Sequence, residues 1–584
     1  MVKVIIKPQN IVVEVDKGTL LIDALRKAIP WFPSPCGGFG ICGKCKVKIL
    51  RGNISSPAAN EKLLKIIDEG FRLACLTTVE GDVEVEVPYT KPVIYPIISS
   101  IDVKIPIKPW IKWYIGEFKK PLSITSKPAD KCLVKNIEAS YMDYRALKEL
   151  KGQAFGRTLT VLSYENIVYR IDHYPHEPLG LAVDLGTTKI AGYLISMVSG
   201  ETIAEGFVLN PQSKYGDDII SRITAALNSK EVFSDMRKIV IKAIDELAVK
   251  LASEAKHPVS DIVAVSIVGN TVMQHILLNL DLGSLAYAPY VPKVSTAVIS
   301  EGEELGFIVL RRALFYIAPV IAGYVGGDAV ATLLTTIYLK PRLPALVVDV
   351  GTNAEIGLIF EDKIVVASAP AGPAIEGHIT SGTKGINGAI HDVEATITKD
   401  RVKFKLRILG NTKPSGISGS GAISLISEML RIGILSPTGK LLVSHRDYKG
   451  VKYVKIAEGR SGPIVFTQLD VRELQKAKSA IQTTWKLMLE DEGLVENDLG
   501  SVFIAGSFGS SIKPKHAVRV GLLPKVDLGK IFTLGNAAGA GAKLMLLNEE
   551  VRRRGEEIAL KAEYRAYAST ERFRRLWIKN LNFS

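Results

Sequence analysis

Cysteine is scarce in this chain: five in 584 residues, and none after Cys132. That scarcity excludes the disulfide framework of a small secreted domain. Histidine is scarce as well, eight in all with none spaced HxxxH, so the histidines read as structural. No charged n-region precedes an apolar stretch and cleavage site, because MVKVIIKPQ already reads as a strand. A reducing cytoplasm is the expected compartment. Long apolar runs are missing too. Residues 313–339 come nearest, but Asp328 sits mid-run with Pro319 and Gly323, and a charge at the centre of a membrane span costs roughly 2.5–3.5 kcal/mol. A buried strand, loop and helix is the better reading, and no membrane is expected. Clustered positive charge is the last absence. The net charge of +14 is spread along the chain without aromatic platforms, so no nucleic-acid partner is expected. The nearest basic face, with Arg552, Arg553, Arg554, Arg572, Arg574 and Arg575, reads as a solvated helix surface.

The few cysteines present are placed with purpose. Residues 35–45 read PCGGFGICGKC, and RLAC ends at Cys75, giving C-x5-C-x2-C plus a distant fourth thiol. Thiolates are the usual ligands of iron–sulfur clusters, and plant-type ferredoxins use a similar three-plus-one layout. Gly37, Gly38, Gly40 and Gly43 lack a Cβ, which lets backbone N–H groups wrap closely around sulfide. Zinc binding or thiol exchange are the alternatives for a CxxC unit. Structural zinc usually pairs two such units, and this chain has one, so a [2Fe-2S] cluster on Cys36, Cys42, Cys45 and Cys75 is the favoured reading. Cys132 is left as a buried, unligated thiol. Residues 4–6, 11–15 and 83–87 alternate as strands, and residues 20–28 have helical spacing, the pattern of a β-grasp.

Further along, one unit occurs twice. Residues 181–195 read LAVDLGTTKIAGYLI and residues 346–359 read LVVDVGTNAEIGLI, a sign of a duplicated fold. In each copy an apolar strand ends in an aspartate, Asp184 or Asp349, followed by Gly186, Thr187 and Thr188 or by Gly351, Thr352 and Asn353. The glycine lets backbone N–H groups approach phosphate oxygens, and the threonine hydroxyls add donors. Each aspartate suits Mg2+ held through water. Asp328 is the next candidate for a general base or metal contact, with a helix N-cap as its alternative. Glu355 either orients water or magnesium or points outward from its strand. The glycine-rich stretches at 323–328, 370–373 and 416–421 fit phosphate contact and ordinary turn chemistry equally.

These hairpins resemble those of the acetate and sugar kinase, heat-shock chaperone and actin superfamily, in which two such units face each other across ATP. IAGSFG at 504–509, with Gly506 and Ser507, resembles its adenosine loop. LGNAAGAGA at 534–542 resembles the second connecting helix, and SIVGNT at 266–271 the first connecting segment. Together with NPQSKYGDDIISRI, GNTVMQHILL, GYVGGD, APAGPAIEG and GISGSG, these motifs follow the order seen in the reductive activators of corrinoid-dependent enzymes. Methanogen activators of the methylamine type carry C-terminal ferredoxin cysteines, which this chain lacks, so the resemblance is to the branch with an N-terminal [2Fe-2S] domain.

The resemblance implies an α/β multidomain chain. A β-grasp ferredoxin domain at 1–88 and a linker at 89–103 would precede a small α+β middle domain at 104–177. A duplicated RNase H-like ATPase domain would fill 178–584. It further implies ATP and Mg2+ as cofactors, a corrinoid protein or methyltransferase as partner, an external low-potential electron donor and a homodimer. The activity implied is ATP-dependent transfer of an electron to cob(II)alamin, restoring cob(I)alamin. Two alternatives stand beside it. Activators of other low-potential enzymes usually bind [4Fe-4S] through cysteines in the ATPase domain, where this chain has none. A nucleotide-sensing redox adaptor would hand on electrons without significant hydrolysis.

Overall fold

The computed structural model describes residues 1–29, 32, 36–41, 43, 45–63, 67, 70–87, 101–118, 137, 139–150, 156–383, 385, 387–398, 401–442, 450–460, 462–506 and 511–583. Cys42, Cys132, Ser507 and residues 89–100 of the expected linker lie outside the described residues.

The N-terminal strands form one five-stranded sheet in the order Ile11–Val15, Val2–Lys7, Val79–Glu86, Lys46–Ile54, Phe71–Leu73. Val4 and Ile6 turn to the same face as Val83 and Val85, and helix Leu21–Ala28 covers that face with Leu21, Ile22, Ala24 and Leu25. This is the β-grasp expected from the alternation. The strands Lys46–Ile54 and Phe71–Leu73 were not foreseen; the first carries Lys48, Arg51 and Asn53 in a mostly exposed row, so its alternation is weak. Glu61, fully buried, accepts from the Arg72 guanidinium and from the Leu73 N–H, pinning the segment that leads to Cys75.

Residues 101–108 run along the core of the C-terminal region. The Lys108 N–H donates to Leu547 O at 2.9 Å, the Glu549 N–H to Lys108 O at 2.9 Å, and Asn548 Nδ2 to Pro106 O at 2.8 Å. Ile101 and Val103 pack on the same core, so the described end of the expected linker is seated, not swinging. A four-stranded sheet follows, ordered Ile111–Glu117, Thr158–Tyr164, Ile167–Asp172, Tyr141–Met142. Its helix Tyr144–Glu149 is capped by Asp143, which accepts from the Arg145 N–H.

Two six-stranded sheets form the centre of the rest, beside a three-stranded sheet of Arg401–Ile408, Ala389–Thr398 and Gly416–Ile417 and a two-stranded one of Tyr453–Gly459 and Gly462–Thr467. The first six-stranded sheet is ordered Thr202–Leu209, Lys189–Ser196, Leu179–Leu185, Ile262–Gly269, Leu314–Ile317, Val298–Glu301. The second is ordered Ile531–Thr533, Ser501–Ala505, Ala345–Asp349, Ala354–Ile359, Ile364–Ala369, Glu563–Tyr564. Each has an antiparallel meander of three strands, with parallel strands added beside the first strand of the meander. The duplication read from the repeated hairpin is therefore a duplication of whole sheets, as in the RNase H-like ATPases.

Helices Gly327–Tyr338 and Ala537–Leu547 cross between the two sheets. Their approach needs the small residues of LGNAAGAGA: a Cβ at Gly541 would lie 2.3 Å from the Ala331 carbonyl oxygen. The Thr335 hydroxyl donates across the crossing to Ala537 O at 2.9 Å. This corrects the reading of residues 266–271 as the first connecting segment, since they end strand Ile262–Gly269 and start helix Thr271–Leu277. The apolar run at 313–339 is strand Leu314–Ile317, a turn, and helix Gly327–Tyr338, as expected. Among the described residues no helix is long and apolar enough to cross a membrane. Arg552 departs from the solvated face assigned to it: it is buried, with its guanidinium over the rings of Trp110 and Tyr316.

Candidate functional site

In the cluster loop Cys36, Cys45 and Cys75 are buried, and the sulfurs of Cys45 and Cys75 lie 3.2 Å apart. Their shared hydrogen bond draws the Cys45 thiol below its ordinary range, against the effect of burial. Gly37, Gly38, Gly40 and Gly43 all have φ between 65° and 96°, the left-handed backbone that turns successive N–H groups toward one centre. Buried thiols in such a loop fit an iron–sulfur cluster. Among the described residues no three His, Cys, Asp or Glu side chains are gathered at metal-binding distance, and Cys42, the fourth expected ligand, lies outside them.

The loop is seated on the turn that follows the edge strand Thr202–Leu209 of the first six-stranded sheet. Gly37 backs onto the Tyr215 carbonyl oxygen, which a Cβ would meet at 2.4 Å. Arg26 Nη1 donates to Lys214 O at 3.4 Å. Both carbonyls belong to the short turn Pro211–Tyr215, which also supports the first hairpin.

That support comes from the NPQSKYGDDIISRI motif, whose individual residues sequence reasoning left without roles. Asn210 Nδ2 donates to Gly186 O at 2.9 Å. Arg222, fully buried, donates to Thr187 O at 2.5 Å, Gly216 O at 2.8 Å and Gln212 Oε1 at 3.2 Å. With its carbonyls held from behind, the turn at Gly186, Thr187 and Thr188 has its N–H groups left for the cleft.

Four carboxylates converge in that cleft from both halves. Asp184 accepts from Asn536 Nδ2 at 2.9 Å, and Asn536 also donates to the Tyr193 hydroxyl at 3.1 Å. Burial raises the Asp184 pKa to about 6, and the Asp349 charge adds to the rise. Asp349 accepts from the Thr332 hydroxyl at 3.0 Å and is raised by burial to about 6. Asp328 stands in the first turn of helix Gly327–Tyr338, whose N-cap is Gly326, so the N-cap reading of Asp328 is corrected. Burial and then the Asp184 charge raise it to about 7. Glu355 faces inward and lines a small cavity with Asp349 and Thr332. Burial pushes it well up, with Asp328 and Asp349 adding to the rise. Such mutual pressure is relieved by a cation, and carboxylates that feel one another without closing a direct ligand set fit magnesium held through water.

The second hairpin sits against Gly506, at φ 93°, where a Cβ would lie 2.6 Å from Asp349 Oδ1 and 2.6 Å from Val350 O. Gly351 and Asn353 close the hairpin turn, with the Asn353 carbonyl 3.0 Å from where a Gly351 Cβ would stand. The stretch at 416–421 is not on the cleft surface. Gly419 packs under Ile375 O, and Ser418 caps helix Gly419–Arg431. Two further residues of the site had no sequence reading: Thr332, which donates to Asp349, and Glu376, whose carboxylate accepts from both Thr188 and Thr352. For Glu376 the prolines and the glycine ahead of it in APAGPAIEG were the signal.

Comparison with known proteins agrees with this geometry. Residues 344–584 match the family described as the C-terminal domain of RACo, the ASKHA domain, and residues 179–339 match the RACo middle region. Residues 4–80 match the 2Fe-2S iron-sulfur cluster binding domain. The chain is 29% identical over 542 residues to the corrinoid activation enzyme RamQ of Eubacterium limosum, covering 88% of each. It is 27% identical over 440 residues to a Co(II) methylated amine-specific corrinoid protein reductase of Methanosarcina barkeri, covering 69% of this chain and 77% of that one. A solved reductive activator for corrinoid, iron-sulfur protein superposes with a TM-score of 0.75 at 28% identity, over 100% of this chain and 98% of that one. The chain belongs to the family of reductive activators of corrinoid proteins, in the branch that carries a ferredoxin-type domain at its N-terminal end.

Proposed function

We propose that this protein uses ATP to pass a low-potential electron to cob(II)alamin on a corrinoid protein or methyltransferase, restoring cob(I)alamin. The observation that carries the reading is the convergence of Asp184 and Asp349, one from each duplicated hairpin, in a chain that also holds a buried thiol loop. A bound [2Fe-2S] cluster supplies one-electron relay chemistry. In this reading Cys36, Cys42, Cys45 and Cys75 hold it, and an external low-potential donor refills it. Gly186, Thr187, Thr188, Gly351, Thr352 and Asn353 bind phosphates, while Gly506 and Ser507 border the adenosine. Asp184 and Asp349 hold hydrated magnesium, and Asp328 positions water or magnesium beside them.

Energy sets the need for ATP. For a one-electron step each ~59 mV of unfavourable potential costs about 1.4 kcal/mol, and plant-type clusters lie near about −400 mV. Inverting a two-state equilibrium takes roughly 5.5 kcal/mol of differential binding. Closure of the two sheets about the crossing at Gly541 and Ala331 is the movement through which nucleotide binding reaches the partner. We place the domain boundaries at 88, 103 and 177, the protein in the cytoplasm, and its working form as a homodimer without nucleic-acid or membrane partners. Pairing of Arg553 with Glu549, Arg554 with Glu557 and Arg572 with Asp491 supports the exclusion of nucleic acid. Phosphate release measured with and without a corrinoid protein separates this activity from a redox adaptor: partner-stimulated hydrolysis supports it, and none at all favours the adaptor.

A further inference from the structure

The two hydroxyls expected to meet phosphate, one from each hairpin, are turned on a single carboxylate. Thr352 Oγ1 donates to Glu376 Oε1, and Thr188 Oγ1 donates to Glu376 Oε2 at 3.4 Å. Glu376 therefore bridges the two halves of the cleft, and both of its oxygens are engaged.

The backbone beneath it is fixed. Glu376 ends the short turn Pro373–Glu376. At the near end the Gly372 N–H donates to Thr352 O at 2.8 Å, tying the turn to the second hairpin. Beneath it the Ile375 carbonyl oxygen lies where a Cβ on Gly419 would come within 1.5 Å. At the far end Gly377, at φ 93°, leaves no room for a Cβ, which would meet Thr383 O at 2.5 Å. Two contacts that only glycine allows and one backbone hydrogen bond thus aim one side chain into the cleft, which exceeds what a stray surface glutamate needs.

A carboxylate held by two hydroxyl donors from opposite hairpins has the charge sign and the acceptor geometry of a phosphoryl group. We propose that Glu376 occupies the position of the nucleotide's terminal phosphate, so that a triphosphate must displace it and a diphosphate need not. The proposal rests on the ATP reading above and adds to it the residue that distinguishes ATP from ADP. Displacement frees the Thr188 and Thr352 hydroxyls for phosphate and unties the Pro373–Glu376 turn from the cleft. Glu376 acts as a positioning residue: it works through the two threonines.

The test is calorimetric titration of the cluster-loaded, full-length protein and its Glu376→Gln variant with the magnesium complexes of a non-hydrolysable ATP analogue and of ADP, and with adenosine. Gln keeps the shape and removes the charge. Loss of one like-charge contact in a partly dehydrated cleft raises the ratio of triphosphate to diphosphate affinity about tenfold, with adenosine affinity unchanged. An unchanged ratio overturns the proposal. So does a lower ratio, which would make Glu376 a partner of magnesium instead of its competitor. Glu376→Asp withdraws the carboxylate by one methylene and shifts the ratio in the same direction by less, which keeps the test available if the Gln variant does not fold. Wild-type protein that ignores ADP and adenosine as well would overturn the ATP reading itself.

Discussion

Asp184 and Asp349 end corresponding strands of the two sheets, each carrying a single side-chain hydrogen bond and each raised by burial to about 6. Groups that hold a metal through water commonly cost roughly 10–100-fold in affinity or activity when removed. Asp349→Asn is expected to lower ATP-dependent formation of cob(I)alamin by that factor while the cluster spectrum stays intact; a variant with wild-type turnover would remove Asp349 from the site. At the other site, Cys75→Ser is expected to abolish the visible absorbance of the anaerobically reconstituted protein and its electron transfer, and to leave ADP binding unchanged in calorimetry. The sequence marks these residues as candidates because the chemistry proposed for them is tied to spacing along the chain. Glu355 was only half legible: its strand position was evident, but which side it faced depends on the register of Asp349 with Glu355 across the hairpin. Glu376 was not legible, since its meaning lies in Thr188 and Thr352, which reach it from two different hairpins.

At the scale of elements, the proposed function rests on two devices. The first is the bracing of the first hairpin by Asn210 and Arg222. Arg222→Met leaves the Thr187 and Gly216 carbonyls without their donor, at about 1–3 kcal/mol for each buried group left bare. Chemical denaturation should show the loss, and nucleotide affinity should fall with it. The second is the crossing of helices Gly327–Tyr338 and Ala537–Leu547. Gly541→Val forces the helices apart, costs about 1–3 kcal/mol, and is expected to reduce ATP-dependent activity more than it lowers the melting temperature suggests. The small residues of the second helix gave it away in the sequence. Its partner was misassigned to residues 266–271, because a glycine and asparagine at a strand end look the same whether they open a connecting helix or, as here, helix Thr271–Leu277. Only the three-dimensional approach of Ala331 to Gly541 tells the two apart.

At the scale of the molecule, the β-grasp unit and the two repeated hairpins of the ATPase were legible, because each has its own apolar rhythm and turn signals; the small middle domain came only from the family resemblance, and its four-stranded sheet was not read. What lies between the units was not legible. Lys214 and Tyr215, against which the ferredoxin-type domain is seated, give no sign in the sequence of where they dock, and the end of the expected linker, residues 101–103, packs on the ATPase core together with residues 104–108. The C-terminal segment is held in a similar way: buried Lys478 donates to Asn582 O at 2.5 Å and to Gln482 Oε1 at 2.8 Å. Burial, with the Lys486 charge adding, lowers its pKa from 10.5 to about 7. Between those values the unfolded chain binds a proton that the folded chain does not, so this group makes stability rise with pH across that window. Lys478→Met is expected to flatten that rise in denaturation curves taken at pH 7 to 10, and an unaltered slope would contradict the assignment.

The central claim joins the thiol loop to the nucleotide cleft in one act of electron delivery, and anaerobic stopped-flow spectroscopy tests it most directly. The pre-reduced protein is mixed with a purified cob(II)alamin-loaded corrinoid protein, with and without magnesium ATP, and the absorbance of cob(I)alamin is followed. The account predicts faster and more complete reduction with ATP. Equal rates and equal extents in the two mixtures would contradict it.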